Sequence, residues 1–517
     1  MLKICPGESR RKKEIQHGYK TSQTGNQGSI EAYLKKDAYG EYMIPAVRQR
    51  PILLMGPPGI GKTQIMEQIA RECGIGLVSY TITHHTRQSA IGLPFIREKV
   101  YGGRTYSVTE YTMSEIIASV YDKMEETGLA EGILFIDEIN CVSETLAPAM
   151  LQFLQCKMFG NQKVPEGWII VAAGNPPEYN KSVREFDTVT LDRIRRIDVE
   201  ENYGVWREYA YQADIHPAIL SYLELRRDYF YRMETTVDGR MFATARGWED
   251  LSEFLKACEA VGKKADREVV HQYIQHWKIA KDFANYLELF AKYKKDYGLE
   301  KILEGQYSGD MLEKLKFASF DERLSVVGMI LGKLSGLFRD SYLADRYVTK
   351  LFDCLKEYKA CGSLAEAAGA AAERYENLRR AGQLTREADH MLRQVNDTLD
   401  RYQQLLKEER LTAADQAEAA FERVRSEFEK ETRKREELLE RTGRALDNAF
   451  YFMEDAFGDS QEMVSFVTEL NTNYYSIQFL KENDCDMYYK YNKRLLVDEQ
   501  REKLLERMDE AEGMLRE

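Results

Sequence analysis

Between residues 51 and 200 short apolar runs alternate with stretches of helical periodicity, the pattern of a parallel sheet covered by helices. Five runs read as strands, at 52–55, 76–81, 133–136, 169–173 and 196–199. Several are apolar throughout, as strands covered on both faces should be. From about residue 201 the strand signal disappears, and segments such as HPAILSYLELRRDYF and GWEDLSEFLKACEAV space their apolar residues three and four apart. That spacing predicts an all-helical domain.

Residues 322–358 continue the helical pattern, and the Ala/Gly-rich stretch at 361–373 reads either as a joint or as a helix packed closely on a neighbour. Ala388, Leu392, Val395, Leu399, Tyr402 and Leu406 then alternate spacings of four and three, a heptad seam. Thr412 to Asp415 reads as a helix cap, followed by a second seam through Phe421, Val424, Phe428, Leu438, Ala445 and Ala449. An antiparallel, coiled-coil-like hairpin follows, weakened midway where Glu431 and Arg435 fall on seam positions. The tail is helical and tyrosine-rich (Tyr474, Tyr475, Tyr488, Tyr489, Tyr491), a spacing read first as packing. The division expected is a flexible segment at 1–29, an α/β domain at 30–200, helical domains at 201–310 and 311–380, the hairpin at 381–457 and the tail at 458–517.

Composition narrows this picture. The chain has 517 residues, enough for about three domains. A formal net charge of -12 repels phosphate backbones and weighs against nucleic acid as the partner. The basic run Arg10, Arg11, Lys12, Lys13 is read as a solvated terminus. The 8 cysteines form no Cys-x-x-Cys pair, which fits reduced thiols in the cytoplasm. No stretch of about twenty apolar residues offers a membrane span.

Chemistry concentrates in three runs. Gly56, Pro57, Pro58, Gly59, Ile60, Gly61, Lys62 and Thr63 match G-x-x-x-x-G-K-[ST] between a strand and a helix. The glycines let backbone N–H groups converge on phosphate oxygens, Lys62 reaches the outer phosphates and Thr63 can ligate Mg²⁺. Gln64 completes the nucleotide-contacting set. The strand at 133–136 ends in Asp137 and Glu138, which places both acids at the carboxyl edge of the sheet. There Asp137 would hold the metal and Glu138 would act as general base. A third strand ends in Asn175, an amide able to orient water and sense the γ-phosphate.

With GPPGIGKT, ILFIDEIN and AAGNPP in this order, the chain resembles the AAA+ ATPases, and within them the MoxR-like group, over roughly residues 30 to 260. The resemblance implies an α/β P-loop NTPase core with a helical lid, binding ATP and Mg²⁺. It also implies an arginine finger, for which Leu191-Asp192-Arg193-Ile194 offers Arg193, with Arg195 and Arg196 in reserve. Arg246 resembles the sensor 2 arginine of the lid, with Ala245 where the family's usual proline stands. Residues 82–113 look like the helix-2 insert, with Gly102 and Gly103 as a two-residue turn; the resemblance implies a hairpin near the ring's pore, while Tyr101 and Tyr106 are read first as solvent-facing strand tyrosines and only second as client contacts. Adjacent His84 and His85 read as loop residues and not as a metal pair.

What the family implies beyond this is a self-assembled ring, typically a hexamer, that remodels or activates a protein complex, often with a von Willebrand factor A domain partner. Two other functions share the motifs: a restriction-type motor directed by nucleic acid, and a scaffold that binds ATP but barely hydrolyses it. Adenine rather than guanine rests on the resemblance alone, since the phosphate cradle reads no base.

Overall fold

A computed structural model describes residues 28–84, 87–159, 162–179, 183, 186–236, 239–411 and 416–495. Residues 1–27 of the N-terminal segment with Cys5 and the basic run Arg10 to Lys13, His85, the cap from Thr412 to Asp415 and the tail from 496 onward lie outside the described residues. The described residues up to Val205, with Ala372–Asp389, form one compact unit, and the rest form a second.

The first unit is built on five parallel strands: β1 (Ile52–Met55), β2 (Gly76–Thr81), β3 (Gly132–Asp137), β4 (Trp168–Gly174) and β5 (Arg195–Asp198). Each lies within one residue of its sequence expectation. Their order is β2-β3-β4-β1-β5. The three inner strands are buried along their whole length, apart from Asp137 at the end of β3. Edge strand β5 instead carries Arg195, Arg196 and Asp198, charges that discourage pairing along an open edge. Leu53, Leu134, Ile136, Ile170 and Ala172 meet Ile116, Ile117, Val120, Met150 and Phe153 from helices Glu115–Thr127 and Ala147–Cys156 in one apolar core.

Parallel neighbours need crossover connections, and each one here carries a helix. Helix α1 (Lys62–Cys73) joins β1 to β2. The connection from β2 to β3 also holds an antiparallel hairpin, Pro94–Tyr101 with Arg104–Tyr111. It turns at Gly102 and Gly103, whose φ values of 57° and 80° are those a tight two-residue turn requires. The segment Ala372–Asp389 joins this unit through contacts such as Lys123 Nζ donating to Arg380 O at 3.2 Å, a long-range relation that local periodicity does not encode.

The second unit corrects the all-helical expectation. A two-stranded antiparallel ribbon, Arg232–Thr236 with Gly239–Ala243, interrupts the helices. Its strands are five residues each, too short and too mixed in polarity to show a period-two signal, and only Asp238-Gly239 marked a turn. Beside the ribbon an aromatic core gathers on Trp248, with Tyr222 and Phe283 at ring-centroid distances of 5.9 and 5.3 Å.

Helix α2 (Phe320–Cys361) organises the remainder. Gly328 and Gly332 let helix Pro217–Leu225 approach closely: a Cβ at either would lie 2.6 Å from Ser221 Cβ or 2.8 Å from Pro217 Cβ. The Ala/Gly-rich stretch resolves into both of its readings, since Gly362 ends α2 in the left-handed region and Ala367, Ala368 and Ala371 pack tightly in the following helix.

The first seam lies on α3 (Arg386–Glu408) and the second on α4 (Ala417–Phe457). Helix α4 runs antiparallel to α2 along its length, through Phe421 on Tyr358, Phe428 on Phe352, Arg435 on Asp345 and Thr442 on Ser341. The seam of α3 enters at one end of this pair, where Val395, Leu399, Tyr402 and Leu406 share a core with Leu351, Leu355 and Val424. The charged seam positions find partners: Arg435 reaches Asp345 at 2.5 Å and Glu431 reaches Arg401 at 3.8 Å.

A buried network holds helix Gln461–Thr472. Arg207 bridges Glu469 at 2.7 Å and Glu224 at 2.9 Å, and burial pushes the Glu469 carboxyl upward from its ordinary value. Of the tyrosine-rich stretch, Tyr475 and Tyr491 are buried as the packing reading expects, Tyr474 and Tyr488 are half-buried, and Tyr489 is exposed.

Candidate active site

The carboxyl ends of β3, β4 and β1 lie side by side, and each hands over to a polar turn. After β1 the chain enters the glycine loop. A Cβ on Gly56 would sit 2.3 Å from Val199 O, so only glycine fits against the end of β5. Gly61, at φ 87°, then turns the chain into α1. No side chain caps the N-terminus of that helix.

Lys62 is 9% exposed, and its ammonium donates to Gly56 O at 2.8 Å, Pro57 O at 2.9 Å and Asn175 Oδ1 at 2.9 Å. A buried ammonium needs such acceptors to offset its lost hydration. Thr63 Oγ1 lies 3.5 Å from Asp137 Oδ2. These contacts bring Lys62, Thr63, Asp137 and Asn175 together from three separate elements. Pro57, Pro58, Gly59 and Ile60 form the loop between, while Gln64 faces solvent on α1.

Immediately after Asp137 the chain turns sharply, with Glu138 in the left-handed region at φ 56° and its N–H donating to Asp137 Oδ1 at 2.9 Å. A non-glycine residue there costs on the order of 1 kcal/mol, a strain tolerated where function fixes the side chain. The turn continues into Ile139–Cys141 and brings Asn140 against the end of β4. Asn140 Nδ2 donates to Asn175 O at 2.8 Å, and Asn175 N donates back to Asn140 Oδ1 at 3.3 Å. The motif reading leaves Asn140 without a role. Its only sequence signal was an amide just past the acids of ILFIDEIN.

Residues 52–199 match the family described as ATPase family associated with various cellular activities (AAA). This segment has the fold of an AAA domain. No curated protein matches the chain. Among solved structures it is similar to a Cytophaga hutchinsonii protein provisionally named an ATPase, at 16% identity and a TM-score of 0.20, over 38% of this chain and 56% of that one.

Within the AAA domain the three candidate arginines differ. Arg193, exposed at the end of helix Thr188–Arg193, donates to Gln155 Oε1 at 2.5 Å. Arg195 bonds Ser29, and Arg196 bonds Asp198 at 2.9 Å. Asp187 caps the helix bearing Arg193 by accepting from Thr190 N at 2.7 Å, and hydrogen bonding to Thr190 lowers its carboxyl from the usual range. Tyr101 and Tyr106 are both exposed on the hairpin, with ring centroids 6.1 Å apart. His84 ends a short 3-10 turn, Ile82–His84, and among the described residues no group of three or more His, Cys, Asp or Glu could hold a metal.

Arg246 belongs to the second unit. It is exposed at the second position of helix Ala245–Ala260, whose cap is Thr244 accepting from Gly247 N at 3.2 Å. The seven described cysteines are free, and among the described residues no helix is long and apolar enough to cross a membrane.

Proposed function

We propose that the chain hydrolyses ATP, working as a MoxR-like AAA+ ring in the cytoplasm that remodels or activates a protein complex. The observation that carries hydrolysis is the convergence of Lys62, Thr63, Asp137 and Asn175 at adjoining strand ends, with Glu138 on the next turn. The loop fits a polyphosphate because Gly56 and Gly61 keep backbone close to where the N-terminus of α1 begins, a site that favours negative charge. The Thr63 hydroxyl and Asp137 carboxylate fit Mg²⁺, which prefers hard oxygen donors. Mg²⁺ held there supplies charge neutralisation on the phosphate oxygens.

The chain's own residues supply the rest. Lys62 neutralises the outer phosphates, and Asn175 orients the attacking water. Glu138 takes that water's proton as its oxygen bonds to the γ-phosphorus and the bond to the β-phosphate oxygen breaks, releasing ADP. Arg193, exposed in the last turn of its helix, is the proposed finger acting on a neighbouring subunit, with Arg195 and Arg196 as alternatives more engaged by their own partners. Arg246 is proposed as the lid's nucleotide-sensing arginine. The client is proposed to be a protein or adaptor, for example one with a von Willebrand factor A domain. The formal net charge of -12 favours this over a nucleic-acid-directed motor.

Phosphate release by the full chain with Mg²⁺ and ATP tests the hydrolysis. Sedimentation of Glu138→Gln with ATP tests assembly: a discrete oligomer supports the ring, and a monomer at every protein concentration removes it. Strong, salt-sensitive stimulation of phosphate release by DNA would favour the nucleic-acid motor instead.

A further inference from the structure

We infer that Asn140 is a positioning residue for hydrolysis, its carboxamide fixing the backbone of Asn175 relative to Glu138. The inference rests on the ATPase reading above and deepens it.

Pairing between β3 and β4 stops at Ile136 and Ala172, because β3 turns away at Asp137 and Glu138 while β4 runs on to Gly174. Beyond that point Asn175 needs another partner for its N–H and C=O, since buried backbone groups rarely go unpaired. The Asn140 amide supplies both, accepting from Asn175 N at 3.3 Å and donating to Asn175 O at 2.8 Å, much as a strand neighbour would. Asn140 is 3% exposed, and a Cβ on Gly174 would lie 2.7 Å from its Oδ1, so the glycine leaves room for the amide.

The consequence is geometric coupling. One turn carries Asp137, Glu138 and Asn140, and Asn140 holds the residue whose side chain meets Lys62 at 2.9 Å. The Asn140 clamp therefore ties the backbone of the proposed water-orienting amide to the turn that carries the proposed base, while Lys62 holds that amide's side chain. Asn140 acts through Asn175 and touches none of the reacting atoms.

The test compares phosphate release and nucleotide affinity in the full-length wild type, Asn140→Ala, Asn175→Ala, the double variant and Asn140→Asp. Asn140→Ala is expected to lower kcat roughly 10- to 100-fold, the usual loss when a supporting partner is removed. Affinity for ATP should change by less than about threefold, the separation expected of an interaction that matters at the chemical step. The double variant should turn over no more slowly than Asn175→Ala, because the two residues act as one unit. Asn140→Asp keeps the shape but loses the donor to Asn175 O, so it should also be slow, and it serves if the alanine variant fails to fold. Multiplicative losses in the double variant, wild-type turnover in Asn140→Asp, or an effect confined to affinity would overturn the inference. Absence of phosphate release from the wild type would instead defeat the ATPase reading itself.

Discussion

Lys62 Nζ and Asn175 Oδ1 stand 2.9 Å apart although 113 positions separate them in the chain. They meet because β1 and β4 are neighbours in the sheet and both end at the same edge. The ammonium that Asn175 holds is the one a triphosphate would recruit, so nucleotide binding and the placement of Asn175 draw on the same charge. Replacing Lys62 by Met is expected to weaken ATP binding about 10- to 100-fold, the equivalent of losing one charge-assisted hydrogen bond of about 1.5–3 kcal/mol. Calorimetric titration with a non-hydrolysable analogue checks this, and unchanged affinity would remove Lys62 from the phosphate site.

Gly56 gives a second expectation. A methyl group there would meet Val199 O at 2.3 Å, and the obstacle is backbone, which cannot rotate aside. Gly56→Ala should destabilise the chain by about 1–3 kcal/mol, the range of overpacking changes. A thermal melt equal to that of the wild type would show that the loop has room it is not credited with.

How far the sequence could be read follows from the range of each signal. The five core strands are apolar because they are covered, so composition reveals them. The glycine loop and the two acids carry their chemistry locally and are legible for that reason. The ribbon at Arg232–Thr236 and Gly239–Ala243 is short and weakly patterned, so Asp238-Gly239 was its single local signal. Asn140 was invisible as a partner because its contact is made across 35 positions. The seam on α4 was legible as a seam, but its periodicity does not say that α2 would be its main partner.

Lys157 supplies a pH expectation. It follows helix Ala147–Cys156 in the left-handed region, donates to Ala46 O at 2.6 Å, and burial pushes its ammonium down to about 8. Between about 8 and 10.5 the unfolded chain holds more protons at this site than the folded one, so stability from this group grows as pH rises and is lost as pH falls through 8. Relative to Lys157→Met, the wild type should therefore gain stability between pH 7 and pH 10, by up to ~3 kcal/mol. Melting both at the two pH values checks it, and a constant difference contradicts it.

Arg435 and Asp345 lie in the α2–α4 interface, each a little over a quarter exposed, at 2.5 Å. Arg435→Leu strands the carboxylate against an apolar seam and should cost roughly 1–3 kcal/mol. Adding Asp345→Leu should restore most of it, because two apolar residues can replace a paired charge. Failure of the second change to rescue the first in urea unfolding would mean that the pair does not act alone.

The central claim is that Glu138 draws the proton from water attacking a nucleotide held by the glycine loop. Measured side by side, wild type and Glu138→Gln should bind Mg²⁺ and ATP with similar affinity, while phosphate release by the variant falls roughly 100- to 10,000-fold, the span of general-base catalysis. Equal phosphate release from the two proteins would contradict the account.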